Sequence, residues 1–116
     1  MAQTVRASHL LIKHSGSRRT ASWKDPEGDE IKQRSKEQAI EILLGLRAQI
    51  QNAEDFAGLA SVHSDCSSAR NGGDLGPFGP GQMQRPFEEA TFALQIGEMS
   101  DVVDTDSGVH IILRTG

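Results

Sequence analysis

One cysteine, one tryptophan and no tyrosine occur in the 116 residues, and nowhere does the chain run apolar for long. A single cysteine excludes an internal disulfide, which suits a reducing compartment. That cysteine and four scattered histidines give no zinc-ligand spacing, so no metal is expected. No stretch approaches the roughly 20 apolar residues of a membrane span, and the opening MAQTVRASHLLIKH holds no apolar segment of signal-peptide length. The expectation is a protein of the cytoplasm and nucleus that does not engage membranes. Gly-rich residues 71–81 match neither a P-loop nor a dinucleotide fingerprint, and no cofactor is expected.

The charge is unevenly laid out. Residues 1–36 hold eight of the twelve Lys/Arg and four of the sixteen acids, a balance of +4, and the remaining eighty carry −8. A basic segment on an otherwise acidic chain argues against general nucleic-acid binding, which needs a broad positive surface, and favours a compact anionic target. This length supports one compact core and not two ordinary domains, so residues 1–116 read as one domain with a basic loop at about 13–34.

Thr4 to Lys13 alternates as a strand, with Val5, Ala7, His9, Leu11 and Lys13 on one face and Ser8, Leu10 and Ile12 on the other. Apolar residues on both faces predict a central strand. Residues 14–34 have no periodicity and many turn signals, and a loop that long is usually functional or disordered. Ser35 to Gln38 forms a capping-box pattern opening a helix whose buried stripe is Ala39, Leu43, Leu46 and Ile50. Gly45 inside it costs about 1 kcal/mol relative to Ala, which predicts a packing reason for it. A second helix is predicted over 53–63, with a short helical turn after Asp65. Residues 71–81 embed Leu75 and Phe78 among glycines and read as an ordered, backbone-shaped loop. Pro86 at the first helical position opens a third helix that ends at Gly97 and carries Phe87, Ala90 and Leu94 on one face. Val102-Val103 and Val109 to Leu113 flank Asp106-Ser107-Gly108, a hairpin signal. The element order is α+β, with helices covering an antiparallel sheet.

Several residues carry chemistry. Lys13, Arg18 and Arg19 combine a point charge with two planar forks suited to phosphate oxygens, although an Arg-Arg pair in a polar loop also reads as a solvated face. His9 shares its strand face with Lys13, and His110 sits in the last strand; each reads either as a hydrogen-bonded core histidine or as part of a shared site. Cys66 is either a small buried hydrophobe or a thiolate, which needs a base or positive field beside it. A Cys-x5-Arg phosphatase is excluded, because the sixth position after Cys66 is Gly72.

The strings SHLLIKHSGSRR at 8–19, Trp23, SDCSSARNGGDLGPFGPGQMQRPFEEATFAL at 64–94 and TDSGVHIILRT at 105–115 together resemble the parvulin-type peptidyl-prolyl isomerases. More narrowly, with Lys13 and the Arg-Arg pair, they resemble the phosphorylation-dependent Pin subclass. The resemblance implies a four-stranded antiparallel sheet surrounded by about four helices. It implies that Lys13, Arg18 and Arg19 bind the phosphate before a proline, and that Leu75, Met83 and Phe87 form the proline pocket. Cys66, His9, His110, Thr105 and Ser107 would surround the rotating bond, with Gln84 making a polar contact and Asp65 tuning the cysteine. The implied partners are phosphoSer/phosphoThr-Pro proteins, the products of proline-directed kinases, met by a monomer. The chain lacks the tryptophan-marked WW module of many relatives and so resembles the free-standing forms of plants and some protists. Pro80 stands where close relatives often have a basic residue. Competing readings are a phosphopeptide-binding module without turnover and a general prolyl isomerase that leaves Arg18 and Arg19 idle.

Overall fold

The computed structural model describes residues 4–116; the first three residues of the N-terminal stretch read above lie outside it. The first strand, β1, runs Val5–Ile12. Helix α1 (Lys36–Arg47) and helix α2 (Ala53–His63) follow, then strand β2 (Asp74–Phe78), helix α3 (Arg85–Ala93), and strands β3 (Val103–Thr105) and β4 (Gly108–Arg114). The strands form one antiparallel sheet of order β2-β1-β4-β3, which puts β1 in the interior as its two apolar faces predict.

Period-two alternation sorts the sheet into two cores. Leu10 and Ile12 of β1 and Val109, Ile111 and Leu113 of β4 face α1 and α2, where they pack on Ala39, Leu43, Leu46, Phe56 and Ala60. Val5 and Ala7 of β1 and Ile112 of β4 face the other way, onto Phe78 and onto Phe87 of α3. His9 and His110 fall on this second face by the same alternation.

Local signals behave as their chemistry requires. Ser35 accepts from the Gln38 amide at 3.1 Å while the Gln38 side chain accepts from the Ser35 amide at 2.9 Å, so the capping box forms. Asn52 caps α2 through the Asp55 amide at 2.8 Å. The 71–81 segment is ordered and contains β2. Gly73 within it has φ +87°, and a Cβ there would meet the His9 carbonyl oxygen at 2.4 Å. The Gly73 carbonyl in turn accepts from the His9 amide at 2.9 Å, so that close approach fixes the strand at His9.

Some boundaries differ from expectation. Three α-helices are present among the described residues, not four; the turn after Asp65 is a 3-10 segment, Ser67–Asn71. Helix α3 begins at Arg85, one residue before Pro86, and stops at Ala93, because Leu94 turns extended (φ −82°, ψ 149°). Leu94 still packs on the second core, and Gly97 supplies a later turn. The hairpin strand starts at Val103. Gly45 has no packing reason: nothing lies within 4 Å of a Cβ built on it. The 13–34 loop is built rather than loose. The Asp25 carboxylate accepts from the amides of Asp29, Glu30 and Ile31 at 3.0–3.1 Å, and Ile31 is 1% exposed.

Candidate active site

Antiparallel register places His9 opposite Ile112 and His110 opposite Leu11, so the two histidines are diagonal neighbours on one sheet face. Their Nδ1 atoms lie 3.0 Å apart. One ring must donate and the other accept, so a single proton sits between them. The contacts extend both ways: His9 Nε2 is 3.2 Å from Ser68 Oγ, and His110 Nε2 is 2.7 Å from Thr105 Oγ1. Each ring has one donor and one acceptor nitrogen when neutral, so the chain Ser68–His9–His110–Thr105 carries its protons in a single direction. Burial first, and then the charge of His9, hold the His110 imidazolium down to a pKa of about 3, and this ring is neutral.

The hairpin tip joins this chain to α3. The Ser107 amide donates to Thr105 Oγ1 at 3.1 Å, Gln84 Nε2 donates to Ser107 Oγ at 2.8 Å, and the Asp106 amide donates to Gln84 Oε1 at 3.0 Å. Phe87 meets both histidines edge-on, with centroids 5.5 Å from His9 and 5.2 Å from His110. Leu75 and Met83, both half-buried, pack on the same core as Phe87. An apolar surface therefore borders the polar chain directly.

Cys66 is a free, half-buried thiol just before the Ser67–Asn71 turn. Burial pushes its pKa up, but hydrogen bonding and charge from His9, followed by the Ser68 hydroxyl and amide, outweigh this and bring it to about 6. This shift favours the thiolate form near neutral pH.

Beside the thiol lies a cavity of about 510 Å³ whose wall includes Lys13, Arg19, Trp23, Asp65, Cys66 and Ser107. Arg18 stands outside this wall, exposed, with its amide donating to the Asp106 carbonyl at 2.6 Å. Among the described residues Lys13, Arg18 and Arg19, like Lys24, Lys32 and Arg70, have no carboxylate within 4.0 Å, whereas Arg6, Arg34, Lys36, Arg47 and Arg85 are ion-paired; of the unpaired cations, Lys13 and Arg19 line the thiol cavity. Burial lowers the Lys13 pKa, and Arg19 and Arg18 add to this against the pull of Asp65. The cluster is a set of like charges that a bound anion would relieve.

Asp65 serves the loop rather than the thiol. Its side chain is 1% exposed and accepts from the Lys13 amide at 2.9 Å and from Ser22 Oγ at 3.0 Å, with Arg34 at 3.5 Å. Trp23 Nε1 donates to the Ser64 carbonyl at 2.8 Å, and Lys13 Nζ donates to the Ala21 carbonyl at 2.6 Å. Sequence reasoning missed Ser68, Ser22 and Arg34. The serine-rich run around Cys66 was a signal for the first; nothing in the sequence marked Arg34.

Comparison with known proteins shows the family of the chain. The model of the PPIC-type PPIase domain, a rotamase, matches residues 9–116. The chain belongs to the PPIC-type peptidyl-prolyl isomerase family. This isomerase is 62% identical over 116 residues to peptidyl-prolyl cis-trans isomerase Pin1 of Digitalis lanata, covering 99% of this chain and 98% of that one. It is 66% identical over 113 residues to Pin1 of Malus domestica, with 97% and 93% covered. Peptidyl-prolyl isomerase ESS1 from Candida albicans superimposes with a TM-score of 0.91 at 51% identity, over 97% of this chain and 63% of that chain. The isomerase is thus an enzyme of the Pin type with the parvulin fold, catalysing cis–trans isomerisation of prolyl peptide bonds.

Proposed function

We propose that the enzyme acts selectively on phosphoSer-Pro and phosphoThr-Pro bonds, through a twisted amide and without a covalent step. The observation that carries the proposal is the pair of Lys13 and Arg19 on the wall of the thiol cavity, with Arg18 exposed beside Arg19 in the chain. A phosphate carries about −1.5 to −2 charges at pH 7 and offers three acceptor oxygens to such a cluster. Peptide rotation meets a barrier of about 18–20 kcal/mol, because resonance gives the C–N bond double-bond character and leaves negative charge on the oxygen. Gripping the phosphate on one side and the proline ring against Leu75, Met83 and Phe87 on the other holds the two ends of the bond while it turns.

As the amide twists, its oxygen loses negative charge and its nitrogen regains a lone pair. A Cys66 thiolate facing the carbonyl disfavours the planar form more than the twisted one, and the hydroxyl and amide donors of Ser107 and Gln84 suit the pyramidal nitrogen. Both effects act on the transition state in preference to the ground state. No bond to sulfur is needed. The test is NMR exchange on paired phosphoSer-Pro and Ser-Pro peptides, with the wild type and with Arg18→Ala/Arg19→Ala. Preference for the phosphopeptide that disappears in the double variant supports the reading. Equal acceleration of both peptides by the wild type refutes phosphate selectivity.

A further inference from the structure

We propose that His14 is a positioning residue: its Nδ1 latches the 14–17 turn that aims Arg18 and Arg19, and protonation of the ring releases that turn. The inference rests on the reading of these arginines as the phosphate grip. His14 follows Lys13 directly, is 6% exposed and plays no part in the chain that surrounds the rotating bond. The turn after it is closed by side chains. The Gly16 amide donates to His14 Nδ1 at 3.0 Å, the His14 amide donates to Ser17 Oγ at 3.0 Å, and the Ser17 amide donates to the His14 carbonyl at 2.9 Å. Ser15 is tied through its amide to the Arg34 carbonyl at 2.8 Å. The imidazole lies against Gly16, where a Cβ would come within 3.1 Å of its Cε1. In this turn His14 and Ser17 are buried while Ser15 and Gly16 are exposed, and immediately beyond it stand the exposed Arg18 and Arg19.

Accepting from Gly16 requires a bare Nδ1, so the proton of the neutral ring is on Nε2. Nε2 is buried and has no hydrogen-bond partner among the described residues. A plain hydrophobe would fill the space without leaving a donor unpaired, so what the histidine contributes is its Nδ1 acceptor. A second proton turns Nδ1 into a donor facing the Gly16 amide, and the latch breaks. The charged groups around the ring are Lys36 and Glu37 of α1 and Asp104 of β3, with Arg85 of α3 and Asp106 of the hairpin tip across the adjoining cavity. Lys36 is ion-paired with Asp104 and Arg85 with Glu89. Burial outweighs them all and lowers the His14 pKa, so the latch holds at neutral pH and opens on acidification below the ordinary histidine range.

Two variants test this. Asn places Oδ1 where Nδ1 was and cannot be protonated at these pH values; Leu fills space and accepts nothing. His14→Leu is expected to lower the phosphopeptide preference about threefold to tenfold through KM, the factor a single hydrogen bond is worth, with Ser-Pro turnover unchanged. His14→Asn is expected to keep the preference. In the free enzyme, the amide resonances of Gly16, Ser17, Arg18 and Arg19 shift together below pH 6.5 in the wild type and lose that step in His14→Asn, while steps owed to Cys66 remain in both. The free-enzyme titration does not depend on phosphate selectivity, so it stands or falls apart from the function proposed above. A full preference in His14→Leu overturns the assignment, as does an equal loss in Asn and Leu, or an unchanged titration in His14→Asn.

Discussion

Replacing Asp65 by Ala removes the buried carboxylate that ties the basic loop to the cysteine segment. Two donors lose their acceptor, the Lys13 amide at 2.9 Å and the Ser22 hydroxyl at 3.0 Å. Hydrogen bonds to a charged group contribute about 1.5–3 kcal/mol each. Arg34, whose side chain is 15% exposed, loses the carboxylate 3.5 Å away but keeps the Lys13 carbonyl at 3.0 Å, so its charge is not wholly stranded. Breaking a fully buried pair costs about 3–5 kcal/mol, and the remaining contact places Asp65→Ala near the lower end, about 3 kcal/mol. That is a large share of the 5–15 kcal/mol typical of a domain. With a urea slope of about 2 kcal/mol per molar, the unfolding midpoint drops by about 1.5 M. Equilibrium denaturation followed by Trp23 fluorescence reads this directly, because the indole is bonded to the adjacent Ser64 carbonyl. Selectivity for phosphopeptide should fall with stability, since Lys13 is freed at its amide. A midpoint loss below about 0.5 M, with selectivity intact, refutes the idea that this carboxylate organises the loop.

Three further outcomes are expected. Alkylation of Cys66 by iodoacetamide rises through about pH 6, and Ser-Pro isomerisation falls as pH drops through the same value, because acid protonates the thiolate; an alkylation midpoint near 9 contradicts the assigned role of His9. Gly45→Ala stabilises α1 by about 1 kcal/mol in a thermal melt without altering turnover, because the added methyl group meets nothing within 4 Å. Thr105→Val removes the partner of His110 Nε2 on buried β4 and of the Ser107 amide at the half-buried hairpin tip, and costs about 1–3 kcal/mol, with a fall in kcat on both peptides.

Periodicity and capping made most of the fold legible. The β1 alternation gave a central strand, and Ser35 and Gln38 marked the start of α1 because both sides of that contact are local. Boundaries governed by distant partners were not legible. Helix α3 stops at Ala93 although the apolar spacing runs on to Leu94, which belongs to the core from an extended conformation. The histidine pair was half visible. Its members share a face by alternation, but their 3.0 Å contact depends on the register of strands about a hundred residues apart. For Asp65 the resemblance implies tuning of its sequence neighbour Cys66, whereas its bonded partners, Lys13, Ser22 and Arg34, are brought to it by the loop and are not legible from spacing.

Hairpin tips are ordinarily the cheapest places to lengthen a chain, because their backbone points into water. The tip at Asp106 is different: its amide is held by Gln84 at the start of α3 and its carbonyl by the amide of Arg18. Both sides of one residue are therefore committed, one to the start of α3 and the other to the basic loop. Lengthening that turn is expected to break one or both of these contacts.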